Sequence, residues 1–276
     1  MINEELYYVN FPVTETQLEN HQIIKSRIFK CVVLAAGTST RLRPLTDTMP
    51  KCLLKVGGKT LLERTIENVL ATGIKEIAVV VGYRADMIRE FVKHLFPQQQ
   101  IRFIFNPNYT RTNNAYSLLL ARRFLEDKNE TVSHNLLLLD SDILFSGKLL
   151  PHLLSAEAEN KIAVRVSGDH NDEEIQVGIN SDGTLNFIGK RPAFDKAFGE
   201  SIGIELFSAE TAAWLFAVLE QRVRRGSGRS EFYEVAFQEM IDNGVTLKAV
   251  NVSTFPAIEI DTPEDLGLAE TLMIDV

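Results

Sequence analysis

Four strand-like runs, largely apolar at consecutive positions, constrain this chain more than any other feature. They fall at residues 31–34, 77–81, 101–105 and 136–139, with helical periodicity at 61–71, 85–95 and 115–125 between them. A strand that is apolar on both faces must be covered on both faces, and helical crossovers supply that cover by laying the strands parallel. The expected class is α/β, with a mostly parallel sheet flanked by helices. In such sheets ligands gather at the carboxyl ends of the strands. Residues at those ends therefore carry the functional argument.

The pattern changes after Asp142. A helix at 148–158 is followed by shorter strand runs at 162–166, 175–180, 185–188 and 201–207. Asn180, Ser181, Asp182 and Gly183 read as a hairpin turn. Helices are expected at 209–223 and 231–242, the first of them a core helix that carries the lone Trp214. A last strand pair at 247–250 and 257–260 precedes a final helix, with Thr262 at its N-cap and Pro263 at its first position. Residues 1–27 are polar and acidic and lack the cationic start and apolar core of a secretion signal. They read as a peripheral N-terminal arm, with a short helix at 14–28 capped by Thr14. Residues 28–276 are expected to form one domain.

A net charge of −8 argues against general nucleic-acid binding, which needs a basic surface. It leaves room for a local cationic pocket. No apolar run reaches membrane-spanning length. Cys31 and Cys52 make neither a disulfide framework nor a zinc site, so a reducing cytoplasm is the expected compartment.

Leu34, Ala35, Ala36, Gly37, Thr38 and Ser39 lead the first strand into a loop of small residues, followed by Arg41 and, further on, Pro50 and Lys51. Small residues let backbone approach a ligand, and successive N–H groups make an anion-binding concavity. Two known phosphate loops do not fit. The dinucleotide fingerprint needs three glycines where only Gly37 stands, and Gly58-Lys59-Thr60 lacks the earlier glycine of a Walker loop because Leu53 occupies that position. Gly57 and Gly58 read instead as a turn into the helix at 61–71. Asp140 and Asp142 follow four leucines at a strand end, where two acids point to a divalent cation, although a strand-end Asp also caps turns. Asp261, within Ile258-Glu-Ile-Asp261-Thr-Pro263, fits either a metal ligand or a helix start.

The run L-A-A-G-x-x-x-R-L-x-P-L-T-x-x-x-P-K, from Leu34 to Lys51, resembles the nucleotidyltransferases that make nucleoside-diphosphate sugars and alcohols. Ser39 stands where that family often has glycine. The resemblance implies a Rossmann-like mixed sheet of the nucleotidyltransferase (GT-A-like) kind. It also implies a nucleotide-binding half over 28–145 and an acceptor-binding half over 146–276. By the same resemblance Arg41 and Lys51 contact a triphosphate, residues Leu34 to Ser39 cradle the nucleotide, and Asp142 and Asp261 hold Mg²⁺. Arg43 fits an accessory cation or a solvated charge equally. Asn113, Asn114 and Ser117 lie in a segment similar to that of bacterial phosphocholine, inositol-phosphate and phosphonate cytidylyltransferases, which favours CTP. For Asn113 and Asn114 a helix N-cap is the competing role.

In the same comparison Lys190 matches the lysine that holds the acceptor's phosphate, and Gly178 and the run from Ser201 to Glu205 line the acceptor pocket. A choline headgroup would call for aromatic faces, with Phe194, Phe198, Phe232 and Tyr233 as candidates and Glu231 or Glu234 for charge. Ordinary packing explains the phenylalanines equally well. The implied reaction moves CMP from CTP to a phosphorylated small alcohol and releases pyrophosphate. Sugar 1-phosphate, inositol phosphate and an aminoalkylphosphonate remain alternative acceptors. A metal-dependent glycosyltransferase would share Asp140-Ser-Asp142 but not the Gly37/Arg41/Lys51 pattern, and a non-catalytic relative would be expected to lose those charges. The oligomeric state, a homodimer included, stays open.

Overall fold

The computed structural model describes residues 29–129, 131–166, 174–190 and 197–272. The arm at 1–27 and the helix expected at 14–28 lie outside the described residues. In chain order the strands and α-helices are β1 (Phe29–Ala35), β2 (Lys55–Val56), β3 (Lys59–Thr60), α1 (Leu61–Ala71), β4 (Ile77–Val81), α2 (Ala85–Leu95), β5 (Ile101–Phe105), α3 (Asn114–Leu120), α4 (Arg122–Leu125), β6 (Asn135–Asp140) and β7 (Ile143–Phe145). There follow α5 (Leu149–Ser155), β8 (Lys161–Arg165), β9 (Gln176–Ile179), β10 (Leu185–Gly189), β11 (Gly199–Phe207), α6 (Ala209–Arg225), α7 (Glu234–Asp242), β12 (Lys248–Asn251), β13 (Ala257–Glu259) and α8 (Pro263–Leu272).

The main sheet runs β10-β9-β11-β6-β1-β4-β5, with β8 between β11 and β12. β1 is central and parallel to both neighbours, Val33 standing opposite Val79 on β4 and Leu139 on β6. β11 is antiparallel to β6, so the sheet is mixed, as expected. Side-chain alternation along β1 divides the interior into two layers. Val32 and Leu34 face α3, α6 and α7 through Leu118, Phe216 and Phe237. Cys31 and Val33 face α1, α2 and α5 through Ile66, Ile88 and Leu150. Burying one such aliphatic side chain contributes roughly 1.5–3 kcal/mol, so two-sided burial fixes the position of β1 and of the loop that leaves it. Cys31 and Cys52 are both free and buried.

A third, smaller cluster of Leu42, Leu54, Val56, Leu61, Ile258 and Ile260 fastens that loop to β13. Gly57 and Gly58, both at positive φ, turn β2 into β3. α1 then starts with a reciprocal cap, in which Thr60 Oγ1 accepts from the Glu63 N–H at 3.1 Å and the Glu63 carboxylate accepts from the Thr60 N–H.

Two expectations are corrected here. The helix at 115–125 is two pieces, α3 and α4, with Ala121 at the break. The last two strands do not pair with each other: β12 joins β8 in the main sheet, whereas β13 pairs with β7 in a separate ribbon. Strand partners are chosen by nonlocal packing, and β7 is too short to stand out as a run. Trp214 lies on the outer face of α6 and is exposed, because Leu215, Phe216 and Leu219 take the core positions of that helix. Among the described residues no helix is long and apolar enough to cross a membrane.

Candidate active site

The loop after β1 is built by backbone conformation and anchored from below. Gly37 has open space where a Cβ would project, and Ser39 adopts the left-handed conformation at φ 49°. Its carbonyl accepts from Thr46 Oγ1 at 2.8 Å. Arg41 and Lys51 each sit on a single 3₁₀ turn whose apolar members, Leu42 in one and Cys52 and Leu53 in the other, are buried. The cations are thus held by the neighbours that anchor their turns.

Lys51 reaches between two carboxylates. Its Nζ lies 2.7 Å from Asp142 Oδ2 and 2.6 Å from Asp261 Oδ1, and its side chain is only 7% exposed. Arg41 pairs with the other oxygen of Asp261 at 2.6 Å. Burial pulls the Lys51 ammonium down, but Asp142 and Asp261 together outweigh it and hold its pKa above the ordinary lysine value. Burial likewise presses Asp261 up, and Lys51 and Arg41 overcome it, leaving that carboxyl below the usual range.

Strand pairing explains the meeting of Asp142 and Asp261. β13 lies antiparallel to β7 with Glu259 opposite Ile143, and the Ile260 N–H donates to the Asp142 carbonyl at 3.0 Å. The start of α8 does not need the Asp261 side chain: Thr262 Oγ1 accepts from the Asp265 N–H, and the Asp265 carboxylate accepts from the N–H groups of Asp261 and Thr262. Glu259 joins the group, and one carboxylate oxygen from each of Asp142, Glu259 and Asp261 lies within 4.8 Å of the others. Loss of water around its carboxyl, and then the neighbouring Asp142 and Asp261, push Glu259 up to about 8, while the residue as a whole stays exposed. Asp142 Oδ1 is buried with no hydrogen-bond partner. An all-oxygen, acid-rich set with a buried oxygen to spare fits a hard divalent cation.

These groups line a cleft of about 330 Å³ that also takes in Gly37, Ser39, Asn113, Asn114 and Asp140, and on its far side Lys190, Phe232 and Glu234. A narrower recess of about 100 Å³ opens from it between Leu34, Ala36, Gly37, Asn106, Tyr109 and Ser117, again bordered by Asn113 and Asn114. Ala35 points to the opposite layer; Thr38 lies half-buried between the lining residues Gly37 and Ser39. Asn113 caps α3, its side chain accepting from the Asn114 N–H at 2.8 Å. Asn114 Oδ1 accepts from the Tyr233 N–H at 2.9 Å, joining α3 to the segment before α7. Ser117 Oγ accepts from Asn106 Nδ2 at 3.0 Å.

On the far side, Lys190 Nζ stands 5.0 Å from the centre of the Phe232 ring. Behind this wall is a buried acidic group. Asp140 accepts from the Tyr233 hydroxyl at 2.8 Å, and Glu205 and Glu234 each have a buried oxygen without a hydrogen-bond partner. Burial first, and then mutual repulsion, raises the pKa values of Asp140 and Glu205 well above the ordinary carboxylate range. Gly203, at φ 69°, lets β11 approach closely: a Cβ there would come within 2.9 Å of Asp140 Oδ2.

The structure therefore gathers Arg41, Lys51, Asp142, Asp261, Asn113, Asn114 and Lys190 around one cleft. It does not bring Gly178, Glu205, Glu231 or Tyr233 to the cleft surface. Gly178 is buried in β9 opposite Phe187. Glu231 is held by two hydrogen bonds from Arg222. Tyr233 and Glu205 are fully buried. Phe198 packs against the core, and Phe194 lies outside the described residues. Glu259 carries no motif of its own; only the period of two, which sets it and Asp261 on one side of an extended segment, points to it in the sequence.

The fold and this cleft define an α/β protein with a ligand site at the carboxyl edge of its sheet. The chain belongs to the nucleotidyl transferase family, whose family model matches residues 30–184. It is 27% identical over 256 residues to a CMP-5'-(3-aminopropyl)phosphonate synthase of Streptomyces rubellomurinus, covering 87% of this chain and 38% of that protein. It is 41% identical over 96 residues to a choline-phosphate cytidylyltransferase of Streptococcus pneumoniae, covering 35% of this chain and 40% of that protein. The chain thus spans well under half the length of both relatives in these matches. A CTP:phosphoglutamine cytidylyltransferase of Campylobacter jejuni is 28% identical, over 85% of this chain and 96% of that protein. The fold is similar to the solved CTP:phosphocholine cytidylyltransferase of Streptococcus pneumoniae, with a TM-score of 0.70 at 24% identity over 89% of this chain and 99% of that one.

Proposed function

We propose that this protein is a cytidylyltransferase that moves CMP from CTP to a phosphorylated small alcohol. The observation that carries the proposal is convergence: Arg41, Lys51, Asp142 and Asp261 come from distant segments to one cleft that has the recess at Asn113 and Asn114 at one end and Lys190 at the other. The N-terminal half, 28–145, takes the nucleotide, and the rest of the chain supplies most of the acceptor side. Relatives named as cytidylyltransferases support CTP.

An oxygen of the acceptor's phosphate attacks the α-phosphorus of CTP in line. The new O–P bond forms as the bond from the α-phosphorus to the bridging oxygen of the β-phosphate breaks, and pyrophosphate leaves with that electron pair. A phosphate dianion needs no general base, which agrees with a cleft that holds no histidine among the described residues. Arg41 and Lys51 stabilise charge on the transferring and leaving phosphates, Arg as a planar fork and Lys as a point charge. Asn113 and Asn114 have their carbonyl oxygens engaged by backbone N–H groups, so each offers its NH₂ to acceptor atoms on the base edge. Lys190 orients the acceptor's phosphate. Asp142, Glu259 and Asp261 would hold Mg²⁺, which supplies neutralisation of phosphate charge when bound.

Pyrophosphate release measured with each nucleoside triphosphate against a panel of phosphorylated alcohols, sugar 1-phosphates and inositol phosphate tests the proposal. CTP is expected to be preferred and Mg²⁺ to be required, and Asp261→Asn to lose the metal response. Absence of release with every pair in the presence of Mg²⁺ would overturn the reading.

A further inference from the structure

One wall of the narrow recess is a turn closed by its own hydrogen bonds. Asn106 is fully buried, and both ends of its side-chain amide are engaged. Oδ1 accepts from the Asn108 N–H at 2.9 Å, while Nδ2 donates to Thr112 Oγ1 and Ser117 Oγ, each at 3.0 Å. The Asn106 N–H donates to the Val81 carbonyl at 2.8 Å, and Thr112 Oγ1 donates to the Asn108 carbonyl at 2.9 Å. Segment 106–112 is thereby tied to the end of β4 and to α3. Moving it outward would break buried hydrogen bonds, which cost more to leave unmade than they contribute when formed.

Tyr109, at the middle of this segment, is seated on a glycine. Gly82 follows β4 directly and is not at positive φ, so its backbone conformation does not call for glycine. Close approach does. A Cβ there would come within 2.6 Å of Tyr109 Cβ and 2.7 Å of the Ala36 carbonyl oxygen. Ala36 and Tyr109 both line the recess, so the missing side chain lets its two walls draw together. The Tyr83 N–H donates to that same Ala36 carbonyl at 3.1 Å. The Tyr83 hydroxyl is held by the carbonyls of Thr46 and Asp47, and its ring stands 6.5 Å from that of Tyr109, tilted by 53°.

The size that results is small. An apolar cavity of about 150 Å³ takes up one benzene ring, and this recess measures about 100 Å³ and opens only toward the cleft. Building on the cytidylyl transfer proposed above, with the base in this recess, we infer that Tyr109 is a specificity-determining residue. Seated on Gly82, it limits the recess to a single six-membered ring and turns purine nucleotides away by size. Tyr109 takes no part in bond making. The amides of Asn113 and Asn114 read the edge of a base that has already passed this limit.

The test reads kcat/KM for CTP, ATP and GTP by pyrophosphate release, with Mg²⁺ and the best acceptor of the panel. In the wild type both purines are expected to fall ~10²-fold or more below CTP. Tyr109→Ala is expected to raise the purine-to-CTP ratios by ~10-fold or more, the scale on which a pocket tells ligands apart by one methylene. Tyr109→Leu, which keeps the contact with Gly82 through Cβ and Cγ, is expected to raise them less, and Tyr109→Phe to leave them within about two-fold. Each ratio is read on one preparation, so loss of folded enzyme cancels, and a merely structural role would lower all three nucleotides together. Purines used within a few-fold of CTP by the wild type, or ratios unchanged in both Tyr109→Ala and Tyr109→Leu, would overturn the size limit while leaving the transfer reaction standing. If no nucleotide releases pyrophosphate with any acceptor of the panel, the transfer reaction itself fails.

Discussion

At the end of the cleft proposed for the nucleotide, buried Lys51 is clamped by Asp142 and Asp261 and Asp261 is held again by Arg41, while Asp142 keeps one buried oxygen without a partner. At the acceptor end Glu205 and Glu234 are buried deeper and have oxygens with no partner at all. The first arrangement sets cations among its carboxylates before any ligand binds, and Lys51 and Arg41 hold the Asp261 carboxyl below its usual range. The second is incomplete and relies on protonation or on a ligand. On the function proposed above, the paired end suits the part of the reaction that is the same in every turnover, and the other end a part that selects.

The comparison breaks first at Lys51. Lys51→Ala is expected to cut turnover by ~10²–10³-fold, the usual cost of losing one group that stabilises transition-state charge. Steady-state pyrophosphate release checks this, and a folded variant with near-normal turnover would remove Lys51 from the mechanism.

The acceptor end predicts a pH signature in stability. Glu234 is raised from an ordinary 4.5 to about 7 by burial, so the folded state holds a proton that the unfolded state has lost between those values. Stability from this group therefore falls as pH rises from 4.5 through 7. Glu234→Gln, which never ionises, should match the wild type near pH 4.5 and exceed it at pH 8 by roughly 3 kcal/mol. Urea denaturation at the two pH values reads the difference, and an equal offset at both would show that Glu234 is not the titrating group.

Tyr233→Phe sharpens the same contrast. It takes the hydroxyl from Asp140 and leaves a buried carboxylate oxygen bare, at an expected cost of ~1–3 kcal/mol measured by thermal or chemical unfolding. The smallest effect is expected at Glu231. Its carboxylate is turned to Arg222 and not to the cleft, so Glu231→Gln should leave kcat/KM, read by steady-state pyrophosphate release, within about two-fold.

How much of this was legible from residues alone differs between the same two regions. The strand runs, most of the crossover helices, the small-residue loop and the positions of Arg41 and Lys51 beside it are local patterns, and the structure places them where they were expected, save for the break at Ala121. Thr262 and Asp265 resolve what Asp261 left open, because they supply the cap and free that carboxylate. At the acceptor end, sequence neighbours part company. Glu231 and Glu234 are three residues apart, yet one pairs with Arg222 and the other enters the cleft. Nothing within three residues of either one states that choice, which depends on where α6 and α7 pack.

The sequence by itself determined a two-faced parallel sheet and the loop that leaves its central strand, since continuous hydrophobicity and small-residue spacing are properties of neighbouring positions. The tertiary structure alone decided that β13 pairs with β7, that Glu259 completes the acidic group of Asp142 and Asp261, and that Glu234 is buried at the cleft wall with one carboxylate oxygen unpartnered. Those are relations between segments far apart in the chain, set by packing and desolvation, and a carboxylate shows its chemistry only once its surroundings are in place.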